Sequence, residues 1–431
     1  MKKLIIITLI EILIALCLKV NAQNRNVIWV HGLGGDETHW EHYEAIFNNE
    51  RQINSVNERY PDDDGISYAT YGVKNDINSK LNYSQQRDSR NLGIGHSMGG
   101  VVLRNLDKTS TSTSSKRIGG LITVDSPNYG APIVNSIQDG SMLAASQNGA
   151  DKLIKGPLSQ ALPIPLNIIG SFFSDDICNS FITDDLFSSY GSGTSANNLK
   201  PNSSVLNGIN SYSSSLPQIS ISGQENSPVH WRVLGSFMDY GDSDYALASN
   251  VNTARGSYNG YYITNISLSI AATAAGFWNP VFFIVAANFA FNATQWKEGI
   301  DWIDDSEVIW CSLIKTTRTE QQTYWVRTWI PCDYPPIAHS NTKNIDPDCG
   351  HWEMVQHTRN VVVNYPSDGL LPQYTQELKG IPADNKYIIE GANHMEVLDM
   401  SKSTLNGKPN DGTKDTFKDI FDRNDWFKTV K

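Results

Sequence analysis

The amino-acid sequence predicts an α/β fold in which a mostly parallel central sheet is flanked by helices. Short β-branched runs, such as residues 26–30 and 118–124, alternate with helix-compatible segments, which is the pattern of βαβ units. Glycine-rich turns follow two such runs, at residues 31–35 and 95–99. Because the carboxyl ends of parallel strands share one edge of a sheet, we expect the chemistry to lie along that edge.

Length and charge set the first limits on function. The chain has 431 residues, enough for one large decorated domain or two to three ordinary ones. Its formal net charge at pH 7 is −11, and it contains no basic run. This balance argues against nucleic acid as a partner and against electrostatic docking on anionic lipid. No sequence feature implies a stable protein partner.

The first 22 residues are typical of a secretory signal peptide. Lys2 and Lys3 precede an apolar run over residues 4–18, and Ala22 ends a small-residue cleavage site. A membrane anchor is the alternative, but a span needs about 20 apolar residues and Glu11 interrupts this shorter run. We therefore expect an exported chain, secreted or periplasmic.

The cysteines fit an oxidising compartment. Four follow the predicted signal, an even number without a Cys-x-x-Cys spacing. We expect Cys332 to pair with Cys349, and Cys178 with Cys311, while free buried thiols are the alternative.

The functional interpretation depends on residues 91–103. They contain Gly-His-Ser-Met-Gly at positions 95–99, after an apolar run and before a helix-compatible segment. In such a strand, turn and helix the two glycines leave the serine in a sharp turn with its hydroxyl exposed. A bare Gly-x-Ser-x-Gly match arises often by chance, so it is the flanks that make Ser97 a nucleophile candidate.

The glycine-rich turn at residues 31–35 lacks the Lys-Ser/Thr of a phosphate-binding loop. We predict an oxyanion loop instead, in which the backbone N–H groups of Leu33 and Met98 stabilise a developing alkoxide. Residues 37–47 are predicted to be a helix capped by Asp36 or Thr38. Residues 53–60 and 66–71 are predicted to be strands.

Two carboxylates are alternative candidates for the acid that orients a catalytic histidine. Asp125 follows the strand predicted at residues 118–124, at the carboxyl edge of the sheet, although a purely structural role in the turn is the other interpretation. Glu225 follows a core strand predicted within residues 217–224. Between them, residues 131–216 are loosely patterned and rich in Ser, Asn and Gly. We predict a cap or lid insertion there, with a flexible surface insertion as the alternative.

Residues 225–356 form a second predicted insertion. No Asp, Glu, Lys or Arg occurs from residue 256 to residue 296, and Pro280 divides this apolar stretch into halves too short to span a membrane. We predict two packed helices, either plain core helices or an apolar lid that contacts a lipid surface transiently. Residues 307–315 and 323–330 are predicted to be strands that pair with each other.

The last part of the chain, residues 357–431, returns to core-like sequence. A strand predicted at residues 359–364 precedes the acid candidate Asp368, and a strand at residues 386–390 precedes His394. Serine needs a base to remove its proton, and a carboxylate must then fix the imidazole. Ser97, Asp368 and His394 supply these groups.

Residues 31–35, 95–99 and 367–372 and the late His394 resemble, in this order, the oxyanion loop, nucleophile elbow, acid loop and histidine loop of secreted bacterial lipases and esterases of the α/β-hydrolase superfamily. They lie within residues 24–130 and 355–400, roughly half the chain by its strand and loop signals. The resemblance implies an α/β-hydrolase fold with large cap or lid insertions, which have no counterpart that we recognise. It also implies Ser97 as nucleophile, His394 as base, Asp368 as acid, and Leu33 and Met98 as oxyanion donors.

The activity implied is cleavage of carboxylic esters through an acyl-enzyme, with acylglycerol or another lipid ester as substrate. No cofactor is expected, and the sequence shows no calcium or zinc ligand pattern. The alternatives are another acyl hydrolase or transferase, such as a phospholipase, thioesterase, polyester depolymerase or amidase. A non-catalytic binding protein would require a broken triad or oxyanion loop, and the sequence shows neither.

Overall fold

A computed structural model of the chain describes residues 25–51, 53–86, 89–110, 116–141, 193–225, 243–276, 281–331, 350–405 and 408–429. The described residues divide into a large unit and a small one, Thr317–Tyr365. The predicted signal peptide and most of the first predicted insertion lie outside the described residues.

The strands are mostly short, apart from two of 15 residues each. In chain order they are β1 (Arg25–Val30), β2 (Ile53–Glu58), β3 (Leu92–His96), β4 (Gly120–Val124), β5 (Gln218–Gln224), β6 (Thr317–Pro331), β7 (Gly350–Asn364), β8 (Lys386–Glu390), β9 (Thr404–Leu405) and β10 (Lys408–Pro409).

The helices range from a single turn to more than 30 residues. They are α1 (Glu41–Glu50), α2 (Ile66–Lys80), α3 (Met98–Thr109), α4 (Pro132–Gln138), α5 (Thr194–Leu199), α6 (Ser204–Asn210), α7 (Ser243–Gly276), α8 (Val281–Leu313), α9 (Gln373–Gln376) and α10 (Gly412–Asp422), with 3₁₀ turns at Ala383–Asn385 and Glu396–Leu398.

The large unit is built on a six-stranded parallel sheet, which confirms the predicted fold class. Its spatial order is β2-β1-β3-β4-β5-β8, so the strand before Ser97 lies in the interior of the sheet. Every residue of β1, β3 and β4 is buried. Such continuous burial is expected of parallel strands that helices cover on both faces.

Helices α1 and α10 cover one face of the sheet through a cluster of aromatic side chains. Phe417 on α10 lies at its centre, with ring centroids 5.8 Å from Phe47 and 5.9 Å from Trp29. Tyr43 and Phe421 are 6.0 and 5.9 Å from the same ring. Helices α2 and α3 contribute to a second buried cluster, which includes side chains of β1 and β4.

Phe417→Ala is expected to lower the free energy of unfolding by about 3–5 kcal/mol, because the truncation leaves a cavity among rings that have no room to collapse. Urea unfolding monitored by circular dichroism measures the change. Phe291→Ala on α8, where the ring is 64% exposed, is the matched control and should change stability by less than about 0.5 kcal/mol. Equal effects of the two substitutions would contradict the packing described.

Two predictions for the first half of the chain need correction. Residues 66–71 are not a strand but the first turns of α2, whose residues Ile66, Ala69, Val73 and Ile77 are buried at helical spacing. The helix predicted at residues 37–47 begins only at Glu41. The preceding residues form turns because the Asp36 carboxylate accepts the backbone N–H of Thr38 at 2.8 Å.

The strand prediction for residues 307–315 is also wrong. This segment is mostly the last part of α8, and Trp310, Leu313 and Ile314 are buried there at helical spacing. Strand β6 instead pairs with β7 as a two-stranded antiparallel ribbon, in which Trp329 lies opposite Trp352. Residues 359–364 form a strand, as predicted, but they belong to this ribbon and not to the central sheet.

Helices α7 and α8 form a long hairpin, consistent with two packed helices and not with a single span. Ser269 on α7 donates to the carbonyl of Ala286 on α8 at 3.0 Å. Several large apolar side chains of the hairpin face solvent, including Ile270 and Phe291. Among the described residues, no helix combines the length and hydropathy needed to cross a membrane.

Cys311, in the last turns of α8, is a free and partly buried thiol. It therefore does not form the predicted bridge with Cys178. That cysteine, like Cys332 and Cys349, lies outside the described residues, and pairing of the latter two stays a prediction.

Candidate active site

A strained turn presents Ser97 between β3 and α3. Its backbone has φ 51° and ψ −125°, a conformation that residues other than glycine rarely adopt. The flanking glycines are required by close backbone contacts. A Cβ at Gly99 would overlap the carbonyl oxygen of His31 and lie 2.5 Å from that of Val30, and one at Gly95 would lie 2.5 Å from the amide of Gly100.

The structure brings the three predicted triad residues together. Ser97 Oγ lies 3.1 Å from His394 Nε2, and His394 Nδ1 lies 2.7 Å from Asp368 Oδ2. Because a carboxylate only accepts, Nδ1 carries the proton and Nε2 is free to accept one from the serine. His394 and Asp368 are buried, while Ser97 is partly exposed.

Backbone donors hold the Asp368 carboxylate in place. Its other oxygen, Oδ1, accepts the N–H of Leu370 at 2.8 Å and that of Leu371 at 2.6 Å. The carbonyl of Asp368 in turn accepts the N–H of His394 at 2.8 Å. Acid loop and histidine loop are therefore joined by both backbone and side-chain hydrogen bonds.

His96 supports the histidine loop, a role that the sequence analysis missed. Its Nε2 lies 2.8 Å from the carbonyl oxygen of His394, so Nε2 must carry a proton and donate it. Complete burial lowers the pKa of His96 well below its usual range, and the ring is therefore neutral. Its position inside the Gly-x-Ser-x-Gly motif was the available signal.

The predicted oxyanion loop runs directly beside the nucleophile. A Cβ at Gly32 would lie 2.8 Å from Cβ of Ser97. The Tyr60 hydroxyl donates to the carbonyl of His31, and the Asp62 carboxylate accepts the N–H of Gly34. Leu33 thus lies between two anchored residues.

Met98 is the first residue of α3 and lies next to Ser97. A first helical residue has no carbonyl one turn earlier to bind its N–H, which leaves that group available for an anion. The roles of Leu33 and Met98 as oxyanion donors stay predictions.

Neither alternative acid binds His394. Asp125 is fully buried, and its carboxylate accepts the N–H of Gly223. Among the described residues, Asp125, Asp368 and His394 are the acid and imidazole groups whose ligand-type atoms lie within 4.8 Å of one another. Glu225 is not in that group, and its backbone N–H donates to the carbonyl of Ser367 at 2.8 Å.

The apolar hairpin rests on the acid loop. Trp310 Nε1 on α8 donates to the carbonyl of Gly369 at 2.7 Å. Leu313 and Ile314 belong to the same buried cluster as Leu371. This contact between the second predicted insertion and the acid loop was not predicted from the sequence.

No protein-family model matches the chain, and no curated protein matches it. Among solved structures, phospholipase PlaB from Legionella pneumophila is similar, with 15% identity and a TM-score of 0.31 over 52% of this chain and 42% of PlaB. EstA from Clostridium botulinum has 15% identity and a TM-score of 0.29 over 48% of this chain and 62% of EstA. Lipase BlEst2 from Bacillus licheniformis has 12% identity and a TM-score of 0.26 over 51% of this chain and 74% of BlEst2. Likenesses this low carry no argument about substrate.

Proposed function

We propose that this chain is an exported serine hydrolase of the α/β-hydrolase superfamily that cleaves carboxylic esters through an acyl-enzyme. The observation that carries the proposal is the hydrogen-bonded chain from Ser97 through His394 to Asp368. Its chain order, Ser, Asp, His, is that of α/β-hydrolases. Export rests on the predicted signal in residues 1–22.

In the first half of the reaction Ser97 Oγ attacks the ester carbonyl carbon while its proton passes to His394 Nε2. The carbonyl π electrons move onto oxygen, where the N–H groups of Leu33 and Met98 stabilise the negative charge. Collapse of this intermediate breaks the bond to the leaving alkoxide, which takes the proton from Nε2. The products are an acyl-serine and an alcohol.

Water then repeats these steps on the acyl-serine. His394 Nε2 removes a proton from the water as it attacks, and returns that proton to Ser97 Oγ when the acid is released. The Asp368 carboxylate stabilises the imidazolium in both halves, because it is buried and lies 2.7 Å from Nδ1.

We propose a lipid ester as substrate because of the apolar hairpin α7–α8. Its stretch without charged residues, from 256 to 296, carries exposed Ile270 and Phe291. Exposed apolar patches of this kind mark contacts with apolar partners. The same hairpin rests on the acid loop through Trp310, which connects it to the site.

Hydrolysis of p-nitrophenyl butyrate and p-nitrophenyl palmitate by the purified mature protein tests this proposal. A lipid-ester enzyme should have the higher kcat/KM with the palmitate. Replacing Ile270 and Phe291 together by serine should lower palmitate turnover about tenfold, which corresponds to about two CH₂ groups of the acyl chain no longer being buried, at about 0.8 kcal/mol each. Butyrate turnover should change little.

Val362→Ser is the matched control, because Val362 is 73% exposed but lies on the ribbon. A preference for butyrate would contradict the lipid-ester assignment and indicate a short-chain esterase. Absence of turnover with both esters would contradict ester hydrolysis. Product analysis with phospholipid, thioester, polyester and amide substrates would then distinguish the remaining acyl-transfer activities.

A further inference from the structure

A second carboxyl group, that of Asp125, lies beside the triad without a described partner for one of its oxygens. Asp125 follows β4, and its φ of 45° is in the left-handed region that non-glycine residues rarely occupy. Its side chain is fully buried. Oδ1 accepts the N–H of Gly223, and Oδ2 has no hydrogen-bond partner. Buried polar atoms are nearly always paired, so this oxygen requires an explanation.

The Asp125 carboxyl group lies beside the triad acid. Ligand-type atoms of Asp125, Asp368 and His394 lie within 4.8 Å of one another. A Cβ placed at Gly223 would lie 2.9 Å from Asp125 Oδ2 and 3.3 Å from Asp368 Cβ. The absence of a side chain at Gly223 is therefore what allows the two carboxyl groups to approach.

Two buried carboxyl groups this close cannot both be ionised, because their charges repel each other. Three donors contact the Asp368 carboxyl group, namely His394 Nδ1 and the N–H groups of Leu370 and Leu371. Among the described residues, the Asp125 carboxyl group accepts one N–H, that of Gly223. Burial first, and then the charge of Asp368, raise the pKa of Asp125 well above its usual range.

We propose that Asp125 is a protonated positioning residue, the second carboxyl of a buried acid pair, and that it orients His394 when Asp368 is removed. The inference rests on the proposed serine hydrolase chemistry. In the native enzyme the proton resides on Asp125 Oδ2, and the neutral carboxyl packs against Asp368 without competing for His394.

The titratable groups near Asp125 come from three elements. Asp368 and His394 lie on the acid and histidine loops, and the neutral His96 ends β3 with its ring 4.9 Å from that of His394. Burial remains without Asp368, but the repulsion between the two carboxylates is gone, so Asp125 ionises more readily. The freed carboxylate is close enough to reach His394 Nδ1 by a side-chain rotation or through one water.

The test compares Asp368→Ala, Asp125→Asn and the double variant. The readouts are the rate at which a p-nitrophenyl alkylphosphonate labels Ser97, and the pH dependence of that rate. Loss of a triad acid costs about 10⁴-fold in known triads, so the double variant should fall by that factor. With Asp125 as substitute, Asp368→Ala should fall by only about 10²-fold.

The single variant Asp125→Asn distinguishes whether Asp125 is neutral or ionised in the native enzyme. The amide keeps an acceptor for Gly223 and supplies a donor where the proton was, so the labelling rate should fall by less than about tenfold. The acid limb of the pH profile should stay in place, because no charge near His394 is lost. If Asp125 were ionised, the limb would move to lower pH by about one unit or more.

Asp107→Asn is the control for loss of a buried carboxyl, since Asp107 is 2% exposed but lies on α3 away from the triad. If Asp368→Ala does not fold, Asp368→Asn replaces it and keeps an acceptor for Leu370 and Leu371. Equal labelling rates for the single Asp368 variant and the double variant would overturn the proposal. A large loss of labelling rate in Asp125→Asn, together with a shift of the acid limb of its pH profile, would also overturn the proposal.

The phosphonate readout separates this inference from the proposed function. A native protein that is not labelled at Ser97 contradicts the serine hydrolase itself. A native protein that is labelled but does not cleave esters contradicts only the substrate class, and the comparison of the variants can still be interpreted.

Discussion

Ser97→Ala is expected to lower kcat for ester hydrolysis on the order of 10⁵- to 10⁶-fold, because the proposed nucleophile of the acyl-enzyme is lost. Binding and the oxyanion donors remain, so a small residual rate above that of water is expected. Turnover of a p-nitrophenyl ester measures the loss of kcat. Mass spectrometry after phosphonate treatment should show one adduct on the native chain and none on the variant.

The same substitution should leave folding intact. Alanine keeps the Cβ that already adopts φ 51° at this position, so the turn is neither relaxed nor newly strained. Ser97 is partly exposed, and the substitution removes its hydrogen bond of 3.1 Å to His394 Nε2. Ser79→Ala on α2 serves as a control for handling and purity. Undiminished hydrolysis by Ser97→Ala would exclude the proposed mechanism.

The triad could be predicted because each of its parts leaves a local trace. A sharp turn at Ser97 needs glycines on both sides, and Asp368 and His394 each follow an apolar run. Ser97 and His394 follow parallel strands, β3 and β8, and the carboxyl ends of such strands share one edge of the sheet. Asp368 follows β7 of the ribbon, so its assignment depended on its order in the chain and on the family resemblance, and not on the topology of the sheet.

The errors occurred where tertiary packing outweighed local preference. Residues 66–71 contain β-favouring Ile, Tyr and Thr, yet α2 forms because Ile66, Val73 and Ile77 bury one helical face against the core. Residues 307–315 have similar composition. There Trp310 and Ile314 become buried only on the helical face of α8 that meets the acid loop.

The roles of residues that lie next to the triad could not be predicted from the sequence, for a related reason. His96 and Asp125 lie in segments that the sequence analysis singled out, but the role of each depends on a contact with a residue far away in the chain. The hydrogen bond from His96 to the carbonyl of His394 joins residues 298 positions apart. Asp125 was recognised as an alternative acid, and only the hydrogen bond between Asp368 and His394 shows which carboxyl group binds the imidazole.

Gly99→Ala is the second substitution for which a large effect is expected. The added Cβ would overlap the carbonyl oxygen of His31 and lie 2.5 Å from that of Val30, both on a backbone that cannot move freely. Val30 lies opposite Gly95 in the pairing of β1 with β3, so displacing it disturbs the centre of the sheet. We expect the free energy of unfolding to fall by about 3 kcal/mol, the upper range for overpacking.

Activity should fall with stability in this variant, and by more than stability alone explains. Any shift that relieves the overlap moves Met98 or the start of the oxyanion loop, and losing one oxyanion donor costs about 10²- to 10³-fold in kcat. Measurements at a temperature where the variant is still folded separate the two effects. Gly260→Ala on α7, where an added Cβ meets nothing within 4 Å, is the matched control and should be neutral or slightly stabilising. The oxyanion geometry depends on the close contact between the end of β1 and the nucleophile turn. If Gly99→Ala kept both native stability and native kcat, this close contact would be contradicted.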